Sequence, residues 1–92
     1  MSWRFEYTGT KELVKQQVIA FCDKTAVSYK GQEEANDVLC VKDRIVSIID
    51  ALDLDATYNA IIVKGNGSHG TSGKGIINAS LSFSVNRTHL EI

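Results

Sequence analysis

The sequence predicts an α+β domain: a two-layer sandwich in which a three- or four-stranded, mainly antiparallel sheet carries two helices on one face. Three observations lead there. Alternating aromatics open the chain at Trp3, Phe5 and Tyr7, two stretches of helical periodicity fill its middle, and a long second alternation closes it. Placing both helices on one side of the sheet buries every apolar stripe these patterns create.

In "WRFEYT" the aromatics alternate with Arg4, Glu6 and Thr8, the period of a half-buried strand. The pattern breaks at Thr8-Gly9-Thr10. Val14, Val18, Phe21 and Cys22 then recur at helical spacing over roughly 10–23, with Thr10 or Gly9 as cap and Glu12 in the first turn. "TAVSYKG" reads as a short edge strand or a connection, ended by Gly31. Ala35, Val38, Val41, Ile45, Ile48, Ile49 and Leu52 mark a second helix over about 32–52. Glu33 and Glu34 suit the positive end of its dipole, whereas Asp50 and Asp53 sit badly at the negative end.

The last third is different in kind. "TYNAIIVKG" is a compact β-branched run, and "IINASLSFSVN" sets Ile77, Ala79, Leu81, Phe83 and Val85 against Asn78, Ser80, Ser82, Ser84 and Asn86. The two are most simply the arms of an antiparallel hairpin. Between them, "VKGNGSHGTSGKGII" holds five of the seven glycines, and this reading puts them in a long tip. The chain has no proline and no internal repeat.

Ninety-two residues make one domain, 1–92, with a single thin core. The 43% hydrophobic and 23% charged composition is that of an ordinary globular chain. A net charge of -1 and an isoelectric point near 6.1 give no general attraction for nucleic acid. No apolar stretch approaches the roughly 20 residues of a membrane span, and "MSWRFEYTG" lacks the form of a signal peptide. The expected compartment is the cytoplasm, with Cys22 and Cys40 both reduced and buried.

The glycine run supports three readings. As a nucleotide-hydrolase loop it fails on spacing, because five residues rather than four separate Gly67 from Gly73, and Lys74 is followed by Gly75 instead of a hydroxyl residue. As an anion cradle it has better chemistry. Glycine permits convergent backbone N–H groups, Lys64, His69 and Lys74 add donors, Ser68, Thr71 and Ser72 add hydroxyls, and no acid lies between Lys64 and Ile77. Taken alone, it is also what an unconstrained hairpin tip looks like. Elsewhere, His69, His89, Cys22 and Cys40 lack the close pairing of zinc ligands, and Asp50, Asp53 and Asp55 lack the glycine and terminal glutamate of a calcium loop. Apolar helical settings would keep either cysteine inert as a nucleophile.

"YNAIIVKGNGSHG", followed after a short gap by "IINASLSFSV", resembles small phage-encoded proteins of unknown role, in which a strand ends in a Gly-x-Gly-Ser-His turn and an alternating strand follows. The resemblance covers Tyr58 to Val85. It implies a phage or prophage source and not a mechanism; among small phage proteins some are structural or assembly factors, some bind host machinery to block defence, and some sequester nucleotide signals.

The sequence-based expectation is therefore a non-enzymatic, homo-oligomeric binding protein without cofactor or metal. Its ligand-binding residues are Lys64, Gly65, Gly67, Ser68, His69, Gly70, Thr71, Ser72, Gly73 and Lys74, which would hold a phosphate-bearing, nucleotide-like anion. The alternative is a structural or protein-interaction module, meeting a host protein or another copy through its edge strand and the interface residues Asn78, Ser80, Ser82, Ser84 and Asn86. That series is small and uncharged where a solvent-facing edge usually carries charge. Neither nucleic acid nor membrane is an expected partner.

Overall fold

A computed structural model describes residues 2–29, 33–71 and 77–90, with the backbone alone for residues 2, 33–34, 68–71 and 77–80. The elements run β1 (Ser2–Gly9), α1 (Lys11–Ser28), α2 (Glu33–Ala51), β2 (Ala60–Thr71) and β3 (Ile77–Thr88). The strands form one open antiparallel sheet in the order β1-β2-β3, so β2 is central and β1 and β3 are edges. One face carries Phe5, Ile61 and Val63, buried against the helices; the other exposes Arg4, Glu6, Lys64, Asn66, Ser82 and Ser84. This is the expected two-layer sandwich, with three strands.

Gly9 makes the corner between β1 and α1. It is buried at φ 157°, a backbone value that L side chains rarely adopt. Thr10 then caps the helix, its hydroxyl accepting from the Leu13 N–H at 3.3 Å. Val14, Val18, Cys22 and Ala26 form the buried stripe of α1 at four-residue intervals. That stripe corrects the expectation of a short edge strand or connection from Thr25, of which Lys30 and Gly31 lie outside the described residues. Ala26, four residues beyond Cys22, continues the seam, and Tyr29 is buried at its end, so helix persists to Ser28 while Val27 points to solvent at 71% exposure. The helix closes with the Tyr29 N–H donating to the Ala26 carbonyl at 3.1 Å.

In α2 the buried seam is Val38, Val41, Ile45 and Ile49. Ile48 lies off it and is 41% exposed. Cys40 is exposed too, against the expectation that both cysteines are buried: it is two residues after Val38, which turns it about 200° away from that position on the helix. The helices are antiparallel neighbours, joined by Lys15–Asp50 at 2.7 Å and Lys42–Asp23 at 2.8 Å. Lys11 of α1 donates to the Leu52 carbonyl at 2.7 Å, which supplies from another element the cation that the end of α2 lacks in its own sequence.

The register of the sheet explains two of the five glycines in the run. Gly65 lies opposite Phe5 on one side and Phe83 on the other; Gly67 lies opposite Trp3 and Leu81. A Cβ on Gly65 would stand 2.5 Å from the Phe5 ring, and one on Gly67 would stand 2.4 Å from the Trp3 indole and 2.7 Å from Leu81. The central strand thus yields its space to its neighbours, and Phe21 of α1 closes over the resulting aromatic row at 5.0 Å from Phe5 and 6.0 Å from Trp3. The expectation that the glycines fill a tip between two arms is corrected accordingly: Gly65, Gly67 and Gly70 are strand residues, and Gly73 and Gly75 lie outside the described residues. Strand β1 ends its pairing at Ser2↔Ser68, so the outer end of the β2–β3 hairpin continues beyond it. The molecule is correspondingly elongated, 53 × 20 × 18 Å.

Candidate functional site: the helix-free face and the β3 edge

Antiparallel pairing sets two rows of three side chains across the face that no helix covers. Glu6 pairs with Lys64, which pairs with Ser84; Arg4 pairs with Asn66, which pairs with Ser82. The Lys64 ammonium is 3.8 Å from the Glu6 carboxylate, with both side chains more than half exposed. The Ser82 hydroxyl donates to the Asn66 amide oxygen at 3.0 Å, and the Asn86 amide reaches Ser84 at 3.5 Å. Arg4, Glu6, Lys64, Asn66, Ser82 and Ser84 line a shallow depression on the sheet. Its chemistry is mixed in charge and rich in hydroxyl and amide groups.

The sequence-derived residues divide among several settings. Lys64 is exposed on this face. Gly65 and Gly67 are buried on the opposite face, beneath the rings. Their N–H groups belong to a central strand with a neighbour on each side, so they point along the sheet into its ladders and do not converge on a point in solvent. Ser68, His69, Gly70 and Thr71 are backbone positions of β2 paired with Ser80, Ala79, Asn78 and Ile77. Ser72, Gly73 and Lys74 lie outside the described residues. Ser82, Ser84 and Asn86 stand together on the helix-free face, and Asn78 and Ser80 precede them in the same strand alternation.

Sequence reading missed Arg4, Glu6 and Asn66 as companions of Lys64 and Ser82. The alternation of "WRFEYT" already separates Arg4 and Glu6 from the aromatics, but their neighbours follow only from the pairing of β1 with β2.

Among the described residues, strand β3 has β2 on one side and no strand on the other. Its register runs one to one from Thr71↔Ile77 to Ala60↔Thr88 without a bulge, and it contains no proline. The described outward side chains Ser82, Ser84 and Asn86 carry no charge. From Leu81 to Asn86 the edge therefore carries no charge, proline or bulge, and the one charge in the strand, Arg87, lies near its end. On the helix side, Leu81, Phe83 and Val85 pack against the core yet remain only partly buried, and the Arg44 guanidinium of α2 lies 5.6 Å from the Phe83 ring centre.

Other reactive groups lie elsewhere. Burial pushes the Cys22 thiol up to about 11, with Asp23 adding to the rise and Lys42 opposing it. Asp55 accepts from the Thr57 and Tyr58 N–H groups, which ties it into a turn. His89 lies against Tyr58 with ring centres 5.7 Å apart. Among the described residues no three His, Cys, Asp or Glu side chains converge as metal ligands, and no helix is long and apolar enough to cross a membrane.

Compared with known protein families, curated proteins and solved structures, the chain shows no match.

Proposed function

We propose that the chain is a non-enzymatic interaction module that self-associates by strand addition along the free edge of β3. The observation that carries this reading is the edge itself: a twelve-residue strand with no proline and no bulge, whose described outward side chains Ser82, Ser84 and Asn86 are small and uncharged, with Arg87 the one charge, near its end. The other edge, β1, is shorter and bears Arg4 and Glu6 on its outward positions. Stacking through the whole helix-free face is less favoured, because Arg4, Glu6 and Lys64 would have to leave water. A domain this small has a thin core and gains stability from oligomerisation.

Residue-resolved amide hydrogen exchange on the purified protein tests the reading. In a free edge strand, alternate N–H groups face solvent and exchange fast. A strand paired on both sides protects every amide from Leu81 to Val85. Fast exchange at every second residue of that segment, at protein concentrations of about 100 μM or above, would refute strand addition at β3.

A further inference from the structure

We infer that the partner on this edge is a second copy of the chain, paired antiparallel through β3 about a two-fold axis at Ser82, so that two three-stranded sheets join into one. The inference rests on the reading of β3 as an association edge and adds the partner's orientation and register. A symmetric contact presents the same patch from both subunits, so the strand must complement its own reverse. Very few strands do. From Asn78 to Asn86 the residues are Asn-Ala-Ser-Leu-Ser-Phe-Ser-Val-Asn, which keeps the same alternation of amide, hydroxyl and apolar groups when read backwards.

With the axis at Ser82, that residue faces its own copy, Ser80 faces Ser84, and Asn78 faces Asn86. On the helix side Leu81 faces Phe83 and Ala79 faces Val85. From Asn78 to Asn86 every polar position meets its own kind and none is charged; beyond that stretch Arg87 faces Ile77. The pairing also covers what the monomer leaves half done, because Leu81, Phe83 and Val85 are only partly buried at the open edge.

Opposite residues must share a face of the sheet, so an axis passes through a residue and not between two. Only axes at Ser82 or Phe83 use nearly the whole strand. An axis at Phe83 would set the two Phe83 rings opposite each other and draw together the Arg44 cation that lies by each ring, and it would oppose Ser80 to Asn86. Ser82 avoids both mismatches.

The register can be measured by pulsed electron spin resonance on full-length protein carrying a nitroxide at Asn78→Cys or at Asn86→Cys, both with Cys40→Ser. Cys22 stays in place, since it is buried and resists labelling. At about 3.4 Å per residue, an axis at Ser82 gives backbone separations of about 27 Å at both positions. An axis at Phe83 gives about 34 Å at residue 78 and about 20 Å at residue 86, so unequal distances overturn the register. As a check that needs no label, Ser82→Cys with Cys40→Ser should form a disulfide dimer on mild oxidation, because directly opposite residues lie about 4.5–5.5 Å apart at Cα, within disulfide reach. Absence of both dipolar coupling and cross-linking overturns the two-fold dimer. If the β3 amides are nevertheless all protected, the edge reading survives with a different arrangement; if they exchange freely, both fail.

Discussion

Gly65→Ala separates packing from ligand binding as the reason for a glycine in the middle of the sheet. The added Cβ would lie 2.5 Å from both Cε1 and Cζ of Phe5. Phe5 is 6% exposed and held between Tyr7 at 5.5 Å, Trp3 at 6.1 Å and Phe21 at 5.0 Å, so its ring has no open space into which to rotate. Overpacking of this kind costs about 1–3 kcal/mol. Alanine recovers about 0.4–1 kcal/mol by restricting the unfolded chain. The net loss is about 1–2 kcal/mol, a fall in Tm of roughly 5–15 °C for a domain of this size. Thermal unfolding followed by circular dichroism measures it, and a double-mutant cycle with Phe5→Leu should show that the two substitutions are coupled. An unchanged or raised Tm for Gly65→Ala would refute the argument that Phe5 is what requires the glycine.

Thiol chemistry should distinguish the two cysteines: one equivalent of maleimide labels Cys40 in the native protein, and Cys22 reacts only on unfolding. Because burial raises the Cys22 pKa from its ordinary value to about 11, the unfolded chain loses this proton first as pH rises. Its contribution to stability is therefore intact below the ordinary thiol range and is lost as pH climbs toward 11; a Cys22→Ala variant with an unaltered alkaline decline would exclude it as the cause. Lys64→Ala with Lys74→Ala should abolish any binding of inorganic phosphate or a nucleoside phosphate measured by calorimetry, and unchanged affinity would remove the anion reading of the hairpin. Association at β3 makes stability depend on concentration, so Tm should rise over a hundredfold concentration range, and a flat Tm would count against self-association.

The fold was legible because both alternating segments and both helical stripes are local patterns, each visible within one element. The glycines were misplaced for a nonlocal reason. Gly65 and Gly67 interrupt the apolar alternation after Val63, so the strand pattern stops there, and only the pairing of Trp3 and Phe5 across β1 shows that the apolar side chains missing from β2 are supplied by its neighbour. The length of α1 was hidden similarly: Ala26 and Tyr29 look weakly apolar until they prove to continue the seam begun at Val14. The Ser/Asn series was legible as one side of a strand. Its adjacency to Lys64 and Asn66, and the position of β3 at an edge, required the register.

These glycines also bear on the proposed association. Across the sheet run two rows, Phe5-Gly65-Phe83 and Trp3-Gly67-Leu81, in which the central strand contributes no side chain and the edges contribute large ones. Apolar volume that a central strand would normally hold has been moved to the strands with least cover. On the β1 side, the Phe21 ring of α1 closes over Phe5 and Trp3. On the β3 side, α2 offers Arg44 against Phe83, and Leu81, Phe83 and Val85 stay partly exposed. If a second β3 pairs there as proposed, each apolar Å² it removes from water would contribute about 25 cal/mol, before the costs of association are subtracted. Under the proposed pairing, part of this sheet's core would be completed at the β3 edge, which would tie folding of the hairpin to association.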